Sequence, residues 1–453
     1  MLNDEGDFVG FDVVIGNPPY IKEYEGKYIF DGLRKNEVYQ GKMDIWYMFV
    51  ADGIKILNKK GILNFIAPNN WTTNSGASKI RDFVLNHSKI VQLIDFKNFM
   101  IFDTASIQTM IMLFSNEKIN NYTFDYRSIK TEKPVFEDVA NLLNNIKTEN
   151  LEILKPNISI ETYLNNLLTF NNNTNEILLN KIKEKQNFYL DEKEVANGIH
   201  PHHDFVNKKI SEISNNKFQV GEGIFGLTEI EKVNLNLLEN ELELIKPYFT
   251  SDQFSRYYAS SKNNLWLIYT SSKFKNANAI LPYPNLKNHL DKFQEVITSD
   301  NKPYGLHRTR EENFFKGEKI IVQRKCAGKP VFTYTDFDTY VSATFYVIKT
   351  DKLNQKYLVG LLNSRLIEFW LKNKGKMQGN NFQLDKEPLL NIPIIKPNLN
   401  YKTEISDKVN DILSLKSQDS KADTLALEQE IDAMVYELFG LSEEEIAIVE
   451  SSN

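Results

Sequence analysis

"FDVVIGNPPYIKEY" runs from Phe11 to Tyr24. Val13, Val14 and Ile15 form a short apolar run, and Gly16 leads into Asn17, Pro18, Pro19 and Tyr20. Proline has no N–H to give to a central ladder, so the strand is predicted to stop at Gly16. Two prolines then hold the backbone in one arrangement. The Asn17 side-chain amide and the Pro18 carbonyl can both accept hydrogen bonds from an exocyclic amine, while Tyr20 offers a flat ring for a base to stack on. A nucleobase turned out of a duplex for chemistry on its amine needs that combination. The competing reading of the same residues is a structural turn with a packed tyrosine.

The surroundings favour a sheet. "DIWYMFVADGIKIL" carries apolar residues at helical spacing, "GILNFIAP" reads as a buried strand ended by Pro68, and "SKIRDFVLNH" as a short amphipathic helix. "IVQLIDF" and "SIQTMIMLFS" complete a series of strands alternating with helices, which predicts an α/β sheet, parallel for the most part. Residues 1–130 therefore form one expected domain. In 131–215 Asn and Lys become abundant and the apolar runs shorten, which reads as a helical connector. Residues 216–400 hold many short β-like runs, such as "KIIVQR" and "TYVSATFYVIK", together with one long amphipathic helix, "YLVGLLNSRLIEFWLKNKGK". A helical tail over 401–453 closes the chain.

Bulk composition sets limits. The chain has 453 residues, 42% hydrophobic and 25% charged, with a net charge of −6 and a single cysteine, Cys326. This describes an ordinary globular chain with room for two or three domains. One cysteine excludes an internal disulfide and fits a reducing cytoplasm. No apolar run approaches the roughly 18 residues of a membrane span, and the acidic N-terminus lacks the apolar core of a secretory signal. Any nucleic-acid binding has to come from a local basic surface. Lys302 to Lys329 supplies one, with eight Lys and Arg against three Glu, and with Tyr304, His307, Phe314 and Phe315 interleaved. Lys302, Arg308, Arg310, Lys316, Arg324 and Lys325 are the expected contacts, and Arg308 and Arg310 are the best placed for base edges or phosphates. A second candidate is "KNKGKMQGNNFQ", with Lys372, Lys374, Lys376, Gln378 and Asn380. The alternative for both is a solvated charged face.

The Asn-Pro-Pro-Tyr stretch resembles the target-base motif of the adenine-N6 DNA methyltransferases, and "GKMDIWYMFVADGIKILNKKGILNFIAPNNW" is similar to the block that follows it in the Taq-type subgroup. "MIFDTASIQTMIMLF" looks like that family's closing motif, and by position there Phe102 is the residue the resemblance places on the other face of the flipped base. "FQVGEGIFGL", "ELIKPYFTSDQFSRYY", "SDNKPYGLHRTR" and the Leu-Asn-Ser helix resemble the target-recognition domain of type IIG restriction–modification enzymes. The likeness covers most of residues 8 to 445. It implies a partial Rossmann-like methyltransferase sheet, a mixed α+β recognition domain and a helical tail. It also implies methyl transfer from S-adenosylmethionine to the N6 amine of adenine in double-stranded DNA, with Asn17, Pro18, Pro19, Tyr20 and Phe102 as catalytic residues. Asp44 reads either as an aid to substrate positioning or as a carboxylate at a helix N-terminus.

In that family the glycine-rich cofactor turn precedes the target-base motif, yet 16 residues precede Asn17. The cofactor-binding half, and any nuclease, is therefore expected on sequence upstream of this chain, and a polypeptide carrying them is a candidate partner. "GEGIFG" at Gly221 to Gly226 matches Gly-x-Gly-x-x-Gly, but the stretch after it lacks the pattern of a sheet-packed helix. "GIHPHHDF" offers His200, His202, His203 and Asp204 as metal ligands, against a surface turn as the alternative. The reading is an adenine-specific DNA methyltransferase part that carries the target-base loop and the DNA-recognition region. The alternatives are a non-catalytic specificity subunit and an inactive fragment.

Overall fold

The computed structural model describes residue 2 and residues 4–102, 107–171, 173–378 and 381–451. They divide into two compact units, Met1–Lys181 with Asn373–Asn380, and Ile182–Lys372 with Asn381–Asn453. No helix among the described residues is long and apolar enough to cross a membrane.

The first unit contains β1 (Phe11–Gly16), α1 (Trp46–Lys55), β2 (Leu57–Pro68), α2 (Ser78–His87), β3 (Lys89–Asp95), β4 (Thr109–Ser115), β5 (Asn121–Thr123), β6 (Asp125–Ile129), α3 (Phe136–Leu143), β7 (Leu151–Leu154), β8 (Asn157–Ser159), α4 (Ile160–Tyr163) and α5 (Asn173–Lys185), the last reaching into the second unit. Six strands form one sheet in the order β1-β2-β4-β3-β6-β7. β1 pairs with β2, and β3 with β6, in parallel. β4 runs antiparallel to both β2 and β3, and β7 antiparallel to β6. The sheet is thus mixed where the alternation of strands and helices predicted mostly parallel pairing. Among the described residues no helix lies between β3 and β4, and parallel pairing needs a crossover connection, usually a helix. β7 lies inside the stretch that reads as a helical connector and forms the far edge of the sheet.

Alternation along β2 explains how the layers stack. Leu63, Phe65 and Ala67 join Leu93, Met112 and Phe114 in the core that also takes Trp46, Val50 and Ile54 of α1 and Ile80 and Val84 of α2. Gly53 lets α1 approach closely, because a Cβ there would lie 2.4 Å from Leu63 Cδ1. On the other face Ile94, Phe96 and Ile129 pack with Val139 and Leu142 of α3. The carboxyl ends of β1, β2 and β3 share one edge, so Asn17, Asn69 and Asp95 are set along it.

The second unit contains β9 (Val195–Asn197), α6 (Lys208–Ile213), β10 (Gly226–Thr228), α7 (Glu229–Asn234), α8 (Glu239–Leu242), β11 (Ile245–Phe249), β12 (Tyr257–Tyr258), β13 (Leu265–Ile268), α9 (Pro284–Asp291), β14 (Lys319–Gln323), β15 (Lys325–Ala327), β16 (Phe332–Thr335), β17 (Tyr340–Val341), β18 (Phe345–Ile348), α10 (Gln355–Leu362), α11 (Arg365–Lys374), α12 (Lys386–Leu390), α13 (Leu399–Gln418), α14 (Leu425–Phe439) and α15 (Glu443–Ser451). Two sheets, β10-β13-β11-β17 and β12-β16-β14-β18-β9, make its body. The mixed α+β body and the helical tail agree with the expected class.

The long helix expected from "YLVGLLNSRLIEFWLKNKGK" is two helices. Asn363 and Ser364 separate α10 from α11. The Asn363 side chain pairs with both backbone groups of Phe332, donating Nδ2 to the carbonyl at 2.8 Å and accepting the amide at 3.3 Å. Ser364 Oγ accepts the Ile367 amide at 3.4 Å, as an N-cap does. Apolar spacing continues across the joint, which is why periodicity alone reads it as one helix.

Candidate functional site

β1 ends where the prolines begin. Pro18 is buried, whereas Asn17 and Pro19 are exposed. The half-buried Tyr20 turns back toward the sheet, and its hydroxyl lies 2.6 Å from Asn17 Oδ1 and 2.9 Å from the carbonyl oxygen of Ile66 on β2. A phenol carries one hydrogen, so these are alternative acceptors for a single donor. Burial, reinforced by the nearby charge of Asp44, pushes the phenol up to about 12, so it stays a neutral donor. The ring of Phe102 comes within 6.5 Å of the Tyr20 ring, centroid to centroid, at 60°. Two aromatics therefore stand over the carboxyl end of β1 beside a side-chain amide oxygen. The pair is edge-on, not parallel.

The next two residues place this turn. Ile21 O accepts the Ile45 amide at 2.9 Å, the Glu23 amide reaches Met43 O at 2.9 Å, and Lys22 bridges Asp44. Glu23 also accepts the Lys42 amide at 2.6 Å and the Tyr39 hydroxyl. Asp44 itself is 7% exposed, and burial lifts its carboxyl to about 6. Beyond β2, Asn69 Nδ2 donates to Asp95 Oδ1 at 2.8 Å, while Lys97 Nζ lies 3.0 Å from the other oxygen. Ile66, Asn69 and Asp95 are absent from the sequence-derived set. "FIAPNN" signals only a strand end; pairing across the sheet brings Ile66 O to the Tyr20 hydroxyl and sets Asn69 and Asp95 farther along the same edge.

The basic stretch of the second unit divides in two. Lys302, Arg308, Lys316 and Lys325 are exposed, with Lys316 paired to Glu312 at 3.3 Å. Arg308 joins His200 through backbone bonds at 3.0 Å each way, which leaves its guanidinium on the surface. The half-buried Arg310 has φ +67 and donates Nε to Gly198 O at 3.3 Å. Arg324 holds Asp385 at 2.6 Å and the Ala343 carbonyl at 3.0 Å, so it ties the fold together. Lys319, counted in the same basic run, is buried. Its Nζ reaches the carbonyls of Gly317 and Phe337 at 2.8 and 2.7 Å, and burial lowers it to about 7. Lys372 and Gln378 are exposed, whereas the partly buried Lys374 pairs with Glu176 at 2.6 Å and Lys376 is partly buried. Asn380 lies outside the described residues.

The glycine-rich turn does not fit a nucleotide-like cofactor. No strand forms at Lys217 to Val220. The Gly223 amide donates to Glu231 Oε1 and the Thr228 amide to Glu231 Oε2, each at 2.8 Å, so the chain's own carboxylate fills the turn. A Cβ on Gly226 would meet the Phe205 ring at 2.7 Å, which gives that glycine a packing role. The histidines behave otherwise. His202 and His203 stack at 4.6 Å and 10°, and His307 comes within 4.9 Å of His202 and 5.3 Å of His200. Sequence spacing finds three of these rings, while only the fold brings in His307.

Two family models match separate parts of the chain. The family model described as Eco57I restriction-modification methylase matches residues 2–102. The TaqI-like C-terminal specificity domain matches residues 246–394. A type II restriction enzyme and methyltransferase of Escherichia coli, RM.Eco57I, is 22% identical over 90% of this chain and 42% of its own length. The type II methyltransferase M.HincII of Haemophilus influenzae is 22% identical over 89% of this chain and 78% of its own. The type IIL restriction-modification enzyme MmeI, solved in complex with DNA, superposes with a TM-score of 0.64 at 15% identity, over 96% of this chain and 55% of that one. The chain thus spans about half the length of MmeI, and less than half of RM.Eco57I.

Proposed function

We propose, starting from the chain's homology to type II restriction–modification methyltransferases, that it supplies the target-base clamp and the DNA-recognition surface of an adenine-specific DNA methyltransferase. The observation that carries this reading is the turn at the end of β1. Asn17 Oδ1, the Tyr20 hydroxyl and the Tyr20 and Phe102 rings gather at the carboxyl edge of a sheet, the edge where open α/β sheets place ligands. The specificity-domain match and the exposed Arg308 support double-stranded DNA as the partner.

An exocyclic amine is a weak nucleophile because its lone pair is delocalised into the ring. The Asn17 oxygen and the Pro18 carbonyl accept its two N–H groups. This favours a pyramidal nitrogen and stabilises the positive charge that develops on it. The Tyr20 hydroxyl can turn to Ile66 O when the amine takes Asn17 Oδ1, so no acceptor is lost on binding. Tyr20 and Phe102 hold the base between them once their rings open toward parallel. S-adenosylmethionine, as methyl donor, would supply the electrophilic methyl group. The glycine turn at Gly221–Gly226 does not fit it, because Glu231 already uses the amides. The donor site is inferred to lie on polypeptide other than the described residues.

The test titrates S-adenosylmethionine into the purified chain, alone and with the product of a neighbouring reading frame, and follows methylation of adenine-containing duplex DNA. Methylation only with the partner supports the proposal, and Asn17→Ala should then reduce it by about 10²–10³-fold. Tight donor binding by the chain alone would overturn the assignment of the donor site elsewhere. DNA binding without methylation under either condition would favour a specificity subunit.

A further inference from the structure

The chain between the clamp and α1 carries two side chains that the fold leaves in solvent. Three of the chain's 21 tyrosines are exposed, and two of them, Tyr24 at 66% and Tyr28 at 76%, follow closely on Tyr20. Isolated surface aromatics are ordinary, but the segment that presents this pair is held at both ends. Before it, Ile21 O accepts the Ile45 amide and the Glu23 amide donates to Met43 O, each at 2.9 Å. The amides of Glu25 and Gly26 return to Lys22 O at 2.9 and 3.3 Å, so Tyr24 stands on a closed turn. Tyr28 belongs to the 3-10 turn Lys27–Phe30, in which Phe30 is fully buried. Ile21 and Ile29 pack against the same core, and a Cβ on Gly26 would meet Ile29 Cδ1 at 2.9 Å. The backbone is therefore anchored while both phenol rings stay outside.

The charges around the pair suit a polyanion. Lys22 Nζ lies 5.8 Å from the centre of the Tyr24 ring. Glu23 is taken up by the Lys42 amide and the Tyr39 hydroxyl. Asp31 lies 3.7 Å from Arg34, and Glu37 pairs with Lys55 at 2.5 Å. Among the described residues from 22 to 42, Glu25 is the acid left over against Lys22, Lys27, Lys35 and Lys42.

A base that leaves the stack for the clamp empties a place in the duplex and unstacks its neighbours. Aromatic side chains on a rigid turn answer that cost, because they stack on any base and lose little rotamer freedom in doing so. Four residues of chain reach at most about 14 Å, so Tyr24 is confined to the neighbourhood of the base that Tyr20 holds. We propose that Tyr24 and Tyr28 form a second DNA contact, in which their rings stack on the bases left unstacked when the target adenine turns out, while Lys22 and Lys27 take the flanking phosphates. The inference rests on the base-clamp reading given above. It adds a device that steadies the opened duplex and not the flipped base.

Two duplexes, each titrated with the full chain, separate this contact from the clamp. The first carries 2-aminopurine at the target position, which brightens when that base leaves the stack. The second carries an abasic site there, so no base is available to Asn17, Tyr20 or Phe102. On the abasic duplex Tyr24→Ala and Tyr28→Ala should each weaken binding about tenfold, and Tyr20→Ala should leave it unchanged. Tyr24→Phe and Tyr28→Phe keep the rings and should bind as the wild type does. Lys27→Ala should lower the salt slope of binding by about 1. Tyr24 and Tyr28 are exposed, so their variants should unfold at the wild-type temperature. Undiminished binding of the abasic duplex by the protein with both tyrosines changed to alanine would overturn the proposal. So would losses confined to the 2-aminopurine duplex, equal losses in the phenylalanine and alanine variants, or a wild-type chain that binds neither duplex. Weakened abasic binding in the alanine variants, with a 2-aminopurine signal that stays dark in every protein, would overturn the clamp reading and keep the contact.

Discussion

The Tyr20 hydroxyl sits 2.6 Å from Asn17 Oδ1, so the oxygen best suited to accept an adenine amine is occupied by the residue best suited to stack on it. The turn thus arrives with its acceptor satisfied, and Ile66 O at 2.9 Å is the place to which the phenol proton can move. Tyr20→Phe removes the hydroxyl and keeps the ring, whereas Tyr20→Ala removes both. Stacking on an aromatic contributes about 1–3 kcal/mol per base. Tyr20→Ala is therefore expected to weaken 2-aminopurine engagement by roughly tenfold or more, and Tyr20→Phe to retain most of it. Equal losses in the two variants would move the role from the ring to the hydroxyl.

Two arginines from one basic run are expected to part company. Arg308→Ala removes an exposed guanidinium whose residue is held by its backbone. It should leave thermal stability unchanged, weaken DNA binding across all sequences, and lower the salt slope of binding by about 1. Arg324→Ala breaks the bonds to Asp385 and Ala343 and leaves half-buried partners unmet, which costs about 1–3 kcal/mol. Urea unfolding and a salt series of DNA binding distinguish the two.

The close approach of α1 to the sheet gives a prediction with no functional assumption. A methyl group at Gly53 would sit 2.4 Å from Leu63 Cδ1, and Leu63 is fully buried. Gly53→Ala should destabilise the first unit by about 1–3 kcal/mol, despite alanine's better helix propensity. Combining it with Leu63→Val should recover part of that loss if the clash is the cause, and thermal unfolding of both variants measures it.

The elements around the clamp were legible in the sequence because each carries a local signal. Pro18 and Pro19 end β1, Pro68 ends β2, and the residues read as a helix at Ser78 to His87 form α2 within those bounds. What the sequence hid depends on partners far along the chain. The direction of β4 shows in its pairing with β2 and β3 and not in its own apolar run. The joint at Asn363 depends on Phe332, 31 residues away. Lys319 and Arg324 read as surface charge because local composition does not reveal the carbonyls and the carboxylate that enclose them. At the site, Asn17, Tyr20 and Phe102 come together from two sequence motifs, whereas Ile66 O is delivered by sheet register alone.

The histidine group predicts a pH dependence of stability whose sign follows from its crowding. His200, His202 and His203 are all held below the usual imidazole value, first by burial. Neighbouring histidines add to this, with Arg308 and Arg310 also acting on His200, against Asp300 near His202 and Asp204 near His203. His202 is lowered to about 4. Unfolded imidazoles titrate near 6.5, so the unfolded chain binds more protons than the folded chain between that value and about 4. Stability from this group is full above about pH 6.5 and is lost as pH falls toward the folded values. His202 has φ +76, a conformation asparagine tolerates, so His202→Asn removes the titrating ring without adding backbone strain. Urea midpoints of the wild type should fall between pH 7.5 and pH 5, and those of His202→Asn should fall less. Parallel losses in the two proteins would mean that carboxylates, not this cluster, set the acid limb.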